Sequence, residues 1–273
     1  MPYPTDLTDN QWELLGPLLS PSCKRGSRHG PDLRHVVDAM LYVTHTGCPW
    51  RFLPAEFGPW TRVWSQFRRW SRNGTWTRVL AAVLGQARLV EGRVGPKPSM
   101  VVFDTHLARG GSLGVTFHDR PGPYGLANGA KRAIAVDWTG LPLVARVVAV
   151  STVEQVAAGQ SDRLGLVMAV RGTLVKAARE LSAKHRCEVR RVVWDEPQLD
   201  GHERKVFRPI AHAWRVKVAH GTLGWSDGLS KSFENTTRTA TGGCNSHARS
   251  PGATCCADSR ASRRLLCHTL REQ

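Results

Sequence analysis

No stretch of the sequence is apolar over the length that a membrane-spanning helix needs, which excludes a protein held by helical spans. The first residues, MPYPTDLTDNQWELL, contain neither a basic leader nor a long apolar core, so no export signal is visible. Internal repeats are also absent, so no repeat architecture is expected. We therefore expect a cytoplasmic protein.

Acidic residues are scarce relative to basic ones. The chain of 273 residues has 22 Asp and Glu against 38 Lys and Arg, a net charge of +16. Such an excess attracts a polyanion and opposes self-association. Nucleic acid is the first candidate, because each phosphate neutralised by Lys or Arg releases condensed counterions. The anionic surface of a membrane is the rival partner.

Of the seven cysteines, three are scattered singly along the chain. The other four lie in the last thirty residues, near His247 and His268. That tail lacks the short paired Cys and His spacings that zinc modules generally repeat. We expect free thiols in an inert tail rather than a zinc site.

The first 87 residues have the apolar spacing of helices. Thr8 and Gln11 have the spacing of a capping box before the first helix. The third helix ends at Asn73-Gly74, and Thr75 is expected to cap a fourth. Six of the ten tryptophans lie in this region, and we expect them to pack in its core.

Four arginines are spread around the third helix: Arg62, Arg68, Arg69 and Arg72. Two helices joined by a tight glycine turn, one of them rich in Arg, suit a helix-turn-helix DNA reader. The alternative is a helical bundle whose arginines face water, and spacing alone favours that alternative. The overall charge favours DNA binding, and both interpretations stay open.

Residues 88–98 form a polar Gly/Pro linker, beyond which the apolar period changes. In SMVVFDTHLA a short apolar run ends at the acid Asp104. KRAIAVDWTG with LPLVARVVAV predicts a hairpin that turns at Thr139-Gly140. VKAARELSAKH predicts a helix, and EVRRVVWDE predicts another strand. This order favours an α/β fold with a mixed sheet and helices on its faces. We expect a helical DNA-binding domain at 1–87, an α/β domain at 99–241 and a disordered tail at 242–273.

Asp104 follows the apolar residues of SMVVFDTHLA, so the sheet would hold its carboxylate rigidly at its rim. Rigid carboxylates that converge can bind two Mg²⁺ ions, about 4 Å apart, that clamp the attacking and leaving oxygens of a phosphodiester. An acid that ends a strand is more often a cap or a turn residue. The residues alone leave both readings open.

Several motifs, taken in order, resemble a large group of bacterial DDE-type insertion-sequence transposases. In the first region they are YPTDLTDNQWELLGPLL, DLRHVVDAMLYVTHTGCPWRFLP and FGPWTRVWSQFRRWSRNGTW. Similarity resumes at VVFDTHLARG, at GAKRAIAVDWTGLP, and from FRPIAHAW through LSKSFENTT. The resemblance covers the chain fairly continuously to about residue 241.

The resemblance implies an RNase H-like catalytic domain whose DDE carboxylates bind Mg²⁺, in a protein that cuts the ends of an element and joins them to new DNA. The first family acid falls on Asp104, which makes it the expected metal ligand. The second belongs at the end of the fourth strand. Local text places that position at Val170, whereas counting strands from the pattern makes EVRRVVWDE the fourth strand and Asp195 the acid. We prefer Val170 for the position and keep Asp195 as the substitute acid.

The third family acid, a Glu in the stretch WRVKVAHGTLG, falls on Lys217. An ammonium in place of a carboxylate reverses the sign of its interaction with a dication, by about 4 kcal/mol per unit-charge pair at an effective dielectric near 20. If the stretch is helical, Ala213, Trp214 and Lys217 share one face and the Lys points inward. If it is a strand, Lys217 faces outward. Neither geometry restores a carboxylate.

Two further departures from the family point to a damaged copy. The chain is too short between the third and fourth strands, so the catalytic domain is expected to be truncated. After Gly242 the apolar periodicity disappears, as a shifted reading frame would produce. A genuine disordered basic tail is the alternative.

Lys131, Arg132 and Lys231 are further candidates for DNA contact, near the basic residue Arg109. Lys131 and Arg132 could equally be ordinary edge charges, and Lys231 a solvated loop residue. The leading hypothesis is a transposase that binds DNA, both at the terminal inverted repeats of its element and at the target. We expect Mg²⁺ as its cofactor, a second copy of the chain as a partner in a homodimer, and impaired cutting. The alternatives are a non-catalytic DNA-binding remnant that represses transposition, and an unrelated metal nuclease using Asp104, Asp195 and Asp200.

Overall fold

The structure is a computed structural model that describes residues 3–20, 33–90, 92, 98–111, 121–122, 125–126, 129–147, 165–169, 187–192, 213–234 and 237–247. Within these ranges, no helix has both the length and the apolar character needed to cross a membrane.

Four helices build the first region of the chain. They are α1 (Asp9–Leu19), α2 (Leu33–Thr46), α3 (Trp60–Arg72) and α4 (Thr75–Val90), with short 3-10 helices at Trp50–Phe52 and Ala55–Phe57. The predicted capping box is present, since the side chains of Thr8 and Gln11 each accept from the other's backbone N–H. The apolar faces meet in one core that includes Met40, Val63 and Phe67.

The turn between α3 and α4 uses Asn73 and Gly74, as the sequence predicts. Gly74 has a φ of +74°, which a residue without a Cβ adopts at little cost. Thr75 is the first residue of α4 rather than its cap, and its backbone N–H donates to Asn73 Oδ1 at 3.0 Å. Trp70 and Trp76 pack edge to face across the turn with ring centroids 5.3 Å apart, so these tryptophans are core residues.

A mixed sheet follows the helices. Its strands are β1 (Met100–Arg109), β4 (Gly129–Asp137), β5 (Pro142–Val147), β6 (Leu166–Ala169) and β7 (Glu188–Arg191), in the order β5-β4-β1-β6-β7. β1, β4 and β5 pair antiparallel, whereas β6 and β7 run parallel to β1. Two short strands, β2 (Pro121–Gly122) and β3 (Gly125–Leu126), pair separately. The predicted RNase H-like mixed sheet behind a helical region is therefore confirmed.

The strand count corrects one expectation. EVRRVVWDE supplies β7 at the edge of the sheet, and β6 precedes it as the fourth strand of the five-stranded sheet. EVRRVVWDE therefore supplies the fifth strand of this sheet in chain order, which contradicts the strand count on which Asp195 was chosen. Val170, Asp195, Asp200 and the predicted helix VKAARELSAKH lie outside the described residues.

Three helices in the last region pack on both the sheet and the first helices. They are α5 (Ala213–Gly224), α6 (Asp227–Ser230) and α7 (Thr237–His247). On α5, Ala213 and Val216 join Val102, Ile134 and Val136 in a buried cluster on one face of the sheet. The stretch WRVKVAHGTLG is thus helical.

The helices cross two of the expected boundaries. α4 runs to Val90, so Arg88 belongs to a helix and not to a linker. α7 continues to His247, beyond the expected end of ordered chain at residue 241, and buries Cys244 and Asn245. The apolar contact of Cys244 explains why a Gly-Gly-Cys-Asn stretch continues the helix. Residues 148–164, where truncation was expected, and 248–273 lie outside the described residues.

Candidate functional site

Asp104 lies in the middle of β1 and not at the end of a strand. β1 continues to Arg109 because its pairing with β4 extends from Val101↔Asp137 to Arg109↔Gly129. Among the described residues, the parallel pairing with β6 runs from Met100↔Leu166 to Phe103↔Ala169. Asp104 follows the last of these residues on β1, and its side chain is only 1% exposed.

Lys217 contacts this buried carboxylate. Its Nζ donates to Asp104 Oδ2, in an ion pair whose Lys side chain is 40% exposed. α5 places it there, because Ala213 and Val216 bury the adjacent face of the helix against the sheet. The helical alternative of the sequence analysis, with Lys217 pointing inward, is the one that the structure has.

Two histidines complete the cluster. His220, one turn after Lys217, has its Nε2 3.8 Å from Asp104 Oδ2, and its ring centroid lies 5.4 Å from that of His106 on β1. Burial lowers the pKa of His220 to about 4, although the nearby Asp104 carboxylate acts in the opposite direction. His220 is therefore neutral at pH 7. The sequence analysis missed both histidines, and the helical spacing from Lys217 was the signal for His220.

The described residues do not fit the Mg²⁺ site that the resemblance implies. None of their His, Cys, Asp and Glu side chains come together in a group of three or more that could hold a metal ion. At Asp104, an ammonium already binds one carboxylate oxygen. The cluster contains one acid, one cation bonded to it and two imidazoles, so the acid is already neutralised by a side chain of the protein.

Arg132 is buried, which corrects the sequence prediction for this residue. It is 6% exposed, and its guanidinium donates to the carbonyl oxygens of Leu229 and Lys231. Its donors therefore hold the chain after α6 instead of facing DNA. Lys231 itself is exposed, Arg109 is exposed and Lys131 is half-buried.

On α3, Arg62, Arg69 and Arg72 are exposed, as a DNA-contacting face requires. Arg68 is half-buried and its guanidinium lies 5.1 Å from the centroid of the Trp64 ring. The same exposure suits the solvated-bundle alternative.

A second buried ion pair, which the sequence analysis did not find, joins α4 to the sheet. Arg88 donates to Asp137 Oδ2, and the two side chains are 5% and 0% exposed. The other carboxylate oxygen of Asp137 accepts from the backbone N–H of Thr139 at 2.9 Å and of Leu141 at 3.0 Å. This pair links the two regions and closes the β4–β5 turn, so its role is structural.

The fold defines the class of the protein: a helical region precedes an RNase H-like sheet whose central strand carries one buried acid. Residues 7–80 match the family described as "Putative transposase of IS4/5 family". The N-terminal region is therefore similar to an insertion-sequence transposase family, and the resemblance is confirmed there.

Two curated relatives are similar to part of the chain. One is the "Insertion element IS402 uncharacterized 16.2 kDa protein" of Burkholderia cepacia, 33% identical over 91 residues, which are 31% of this chain and 62% of the relative. The other is the "Uncharacterized protein y4sN" of Sinorhizobium fredii, 33% identical over 85 residues, which are 30% of this chain and 66% of the relative. The chain thus spans less than two thirds of either relative. No solved structure matches it.

Proposed function

We propose that this chain is an insertion-sequence transposase by descent that binds DNA at the ends of its element and is impaired in cutting it. The ion pair between Lys217 and the buried Asp104 carries the proposal. The cytoplasm is the proposed location, and a homodimer is the assembly in which we expect the chain to bind two ends.

DNA binding is supported by the positive charge on α3, a helix that lies within the residues matched by the family. The chain has a net charge of +16, and α3 lies within the matched residues 7–80 with three exposed arginines. Phosphate contacts from such a face supply salt-dependent affinity, whereas base contacts add sequence specificity. We expect the face to contact the terminal inverted repeats.

The support for impaired cutting is the sign of the charge at Asp104. A dication at this carboxylate would lie close to the Lys217 ammonium, and each unit-charge pair at contact distance contributes about 4 kcal/mol of repulsion at an effective dielectric near 20. If a metal ion displaced the Lys217 ammonium from Asp104, that ammonium would still lie beside the metal and would have to be solvated there. Mg²⁺-dependent strand cleavage, which the resemblance implies for intact relatives, is therefore expected to be weak or lost.

The test uses the full chain with a duplex that carries the DNA flanking its own coding region. We expect binding that weakens steeply with salt, and no nicking after addition of Mg²⁺. A duplex of scrambled sequence is the control for end recognition. Specific nicks at the element ends would contradict the loss of cutting, and equal affinity for both duplexes would contradict end recognition.

The alternative function is repression by a non-catalytic remnant, which the same ion pair favours because it permits binding without cleavage. It predicts that co-expression of this chain lowers the transposition frequency of an active copy with the same ends. The Lys217→Glu variant is the matched comparison, since it restores a carboxylate without touching α3. Unchanged transposition with both chains would exclude repression.

A further inference from the structure

The contact with Asp104 leaves the Lys217 ammonium half-exposed. A lysine ammonium has three N–H donors, and the Asp104 carboxylate oxygen accepts one of them. The Lys217 side chain is 40% exposed while Asp104 is 1% exposed, so solvent or a ligand can reach the lysine but not the carboxylate. The buried carboxylate thus fixes a cation at the surface.

The neighbouring side chains make this surface basic. His106 is exposed two residues along β1 from Asp104, and its Cα partner on β4 is Arg132. The Arg132 guanidinium donates to the carbonyl of Lys231, and the next residue, Ser232, forms a bridge with Gly110. The exposed Lys231 therefore lies beside the C-terminal end of β1. The surface defined by Lys217, His106 and Lys231 is called the β1 rim below.

Three acidic side chains of the described residues bear on the charge of the β1 rim. Asp104 is bonded to Lys217, and Glu234 is hydrogen-bonded to the Thr239 and Trp50 side chains. Asp227 is exposed at the start of α6. Of the Lys217–Asp104 pair only the lysine is exposed, so the charged groups that the rim itself offers to a ligand are the ammonium groups of Lys217 and Lys231.

We propose that Lys217 converts the Asp104 site into a phosphate-binding site, so that DNA on the β1 rim is held without a divalent cation. This rests on the proposed DNA binding and names a contact for it. A carboxylate cluster needs a metal to bridge it to a phosphate, because both are anions. Here the bridging cation is covalently part of α5, and its ion pair with Asp104 holds it in place before DNA arrives.

The experiment measures the affinity of the full chain for the end-carrying duplex by fluorescence anisotropy over a series of salt concentrations, in EDTA and in Mg²⁺. Wild type should bind in EDTA, and added Mg²⁺ should not strengthen binding, because Mg²⁺ competes with the protein for the phosphates. Lys217→Met should weaken binding roughly three- to fivefold and lower the salt slope by about one, because one phosphate contact is lost. Lys217→Arg should retain both affinity and slope.

Two variants control for folding and for charge. The double variant Asp104→Asn with Lys217→Met leaves no unpaired carboxylate in the core, and it should show the same loss as Lys217→Met. Arg190→Met removes one positive charge from an exposed pair with Glu188 on β7, at the edge of the sheet. It should leave the salt slope unchanged.

The outcomes separate the two proposals. If wild type does not bind the duplex, both are overturned. If wild type binds while Lys217→Met and the double variant keep its affinity and slope, the phosphate contact at Lys217 is overturned and DNA binding stands. Binding that requires Mg²⁺ would also overturn the phosphate site.

Discussion

The helical region and the sheet region of this protein differ in how far they agree with the expected fold and chemistry. The helical region matches a transposase family over residues 7–80 and has the apolar core and basic face expected of it. The sheet region has the expected mixed sheet, yet an ammonium binds its central acid. A fold is specified by many apolar contacts, each of small effect, whereas the chemistry of a carboxylate site depends on a few charges. One substitution can therefore reverse the chemistry while the fold persists.

The two regions are nevertheless joined, which limits how independently they can change. Arg88 of α4 pairs with Asp137 of β4, and α7 packs against α3, α4 and β5. We therefore expect the regions to unfold together, and each prediction below tests that coupling or the contrast between the regions.

The largest effect is expected from breaking the ion pair between the regions. Arg88→Met leaves the fully buried Asp137 carboxylate without its cationic partner, which costs about 3–5 kcal/mol. The free energy of unfolding in urea measures this loss, with circular dichroism for the helices and Trp fluorescence as a second signal. The circular dichroism and the Trp fluorescence are expected to change at the same urea concentration. If the helices unfold at the wild-type midpoint while only part of the signal shifts, the regions are independent.

The next largest effect is a pH dependence of opposite sign in the two regions. His220 has a folded pKa of about 4 against an ordinary 6.5, so the unfolded chain takes up the proton first. Its contribution to stability is complete above pH 6.5 and is lost as the pH falls toward 4, by roughly 2–3 kcal/mol at pH 4.5. His220→Gln should flatten this part of the profile of unfolding free energy against pH.

Asp38 in the helical region provides the contrast. Burial raises its pKa from 3.8 to about 6, although the Leu7 backbone N–H donates to it at 2.8 Å. Its contribution is present below pH 3.8 and is lost as the pH rises through 6, so Asp38→Asn should raise stability at neutral pH relative to acid. Equal pH profiles for wild type and both variants would show that neither group titrates as described.

A smaller loss is expected where α6 meets the end of α2. A Cβ on Gly228 would lie 2.5 Å from the Thr44 carbonyl oxygen and 2.9 Å from that of Val43. Because both neighbours are backbone atoms, Gly228→Ala should cost about 1–3 kcal/mol, measured as a fall in Tm.

Gly221→Ala is the matched control, since a Cβ there meets nothing within 4 Å and the residue lies inside α5. It should raise stability by up to about 1 kcal/mol. Two variants with the same Tm would mean that the α2–α6 contact is looser than described.

The sequence predicts the parts of this structure that depend on local pattern. The capping box at Thr8, the Asn73-Gly74 turn and the β4–β5 hairpin follow from short motifs. It predicts less well what depends on distant partners. Asp104 was expected at the end of a strand because the apolar run before it stops there, but pairing with β4 extends β1 to Arg109.

The same limit explains the errors at charged residues. Arg132 looks like an edge charge in sequence, and only the carbonyls of Leu229 and Lys231, nearly a hundred residues away, make it a buried donor. Arg88 looks like part of a linker until Asp137 is placed beside it. By contrast, the inward position of Lys217 was one of two stated alternatives, because helical spacing alone connects it to Ala213.

The smallest effect decides between a DNA reader and a solvated helix face on α3. Arg72 is exposed in the last turn, so Arg72→Gln should lower affinity for the end-carrying duplex roughly threefold and reduce the salt slope by about one if it contacts a phosphate. Arg78 is the matched control, because its guanidinium donates to the Asn73 carbonyl and to Thr75 Oγ1, both at 2.9 Å. Arg78→Gln should lower Tm, because these hydrogen bonds are lost, and should change the affinity for the duplex less than Arg72→Gln does. If Arg72→Gln binds like wild type at every salt concentration, the arginines of α3 are solvated charges, and the preserved helical region has kept its fold without a detectable DNA contact at that position.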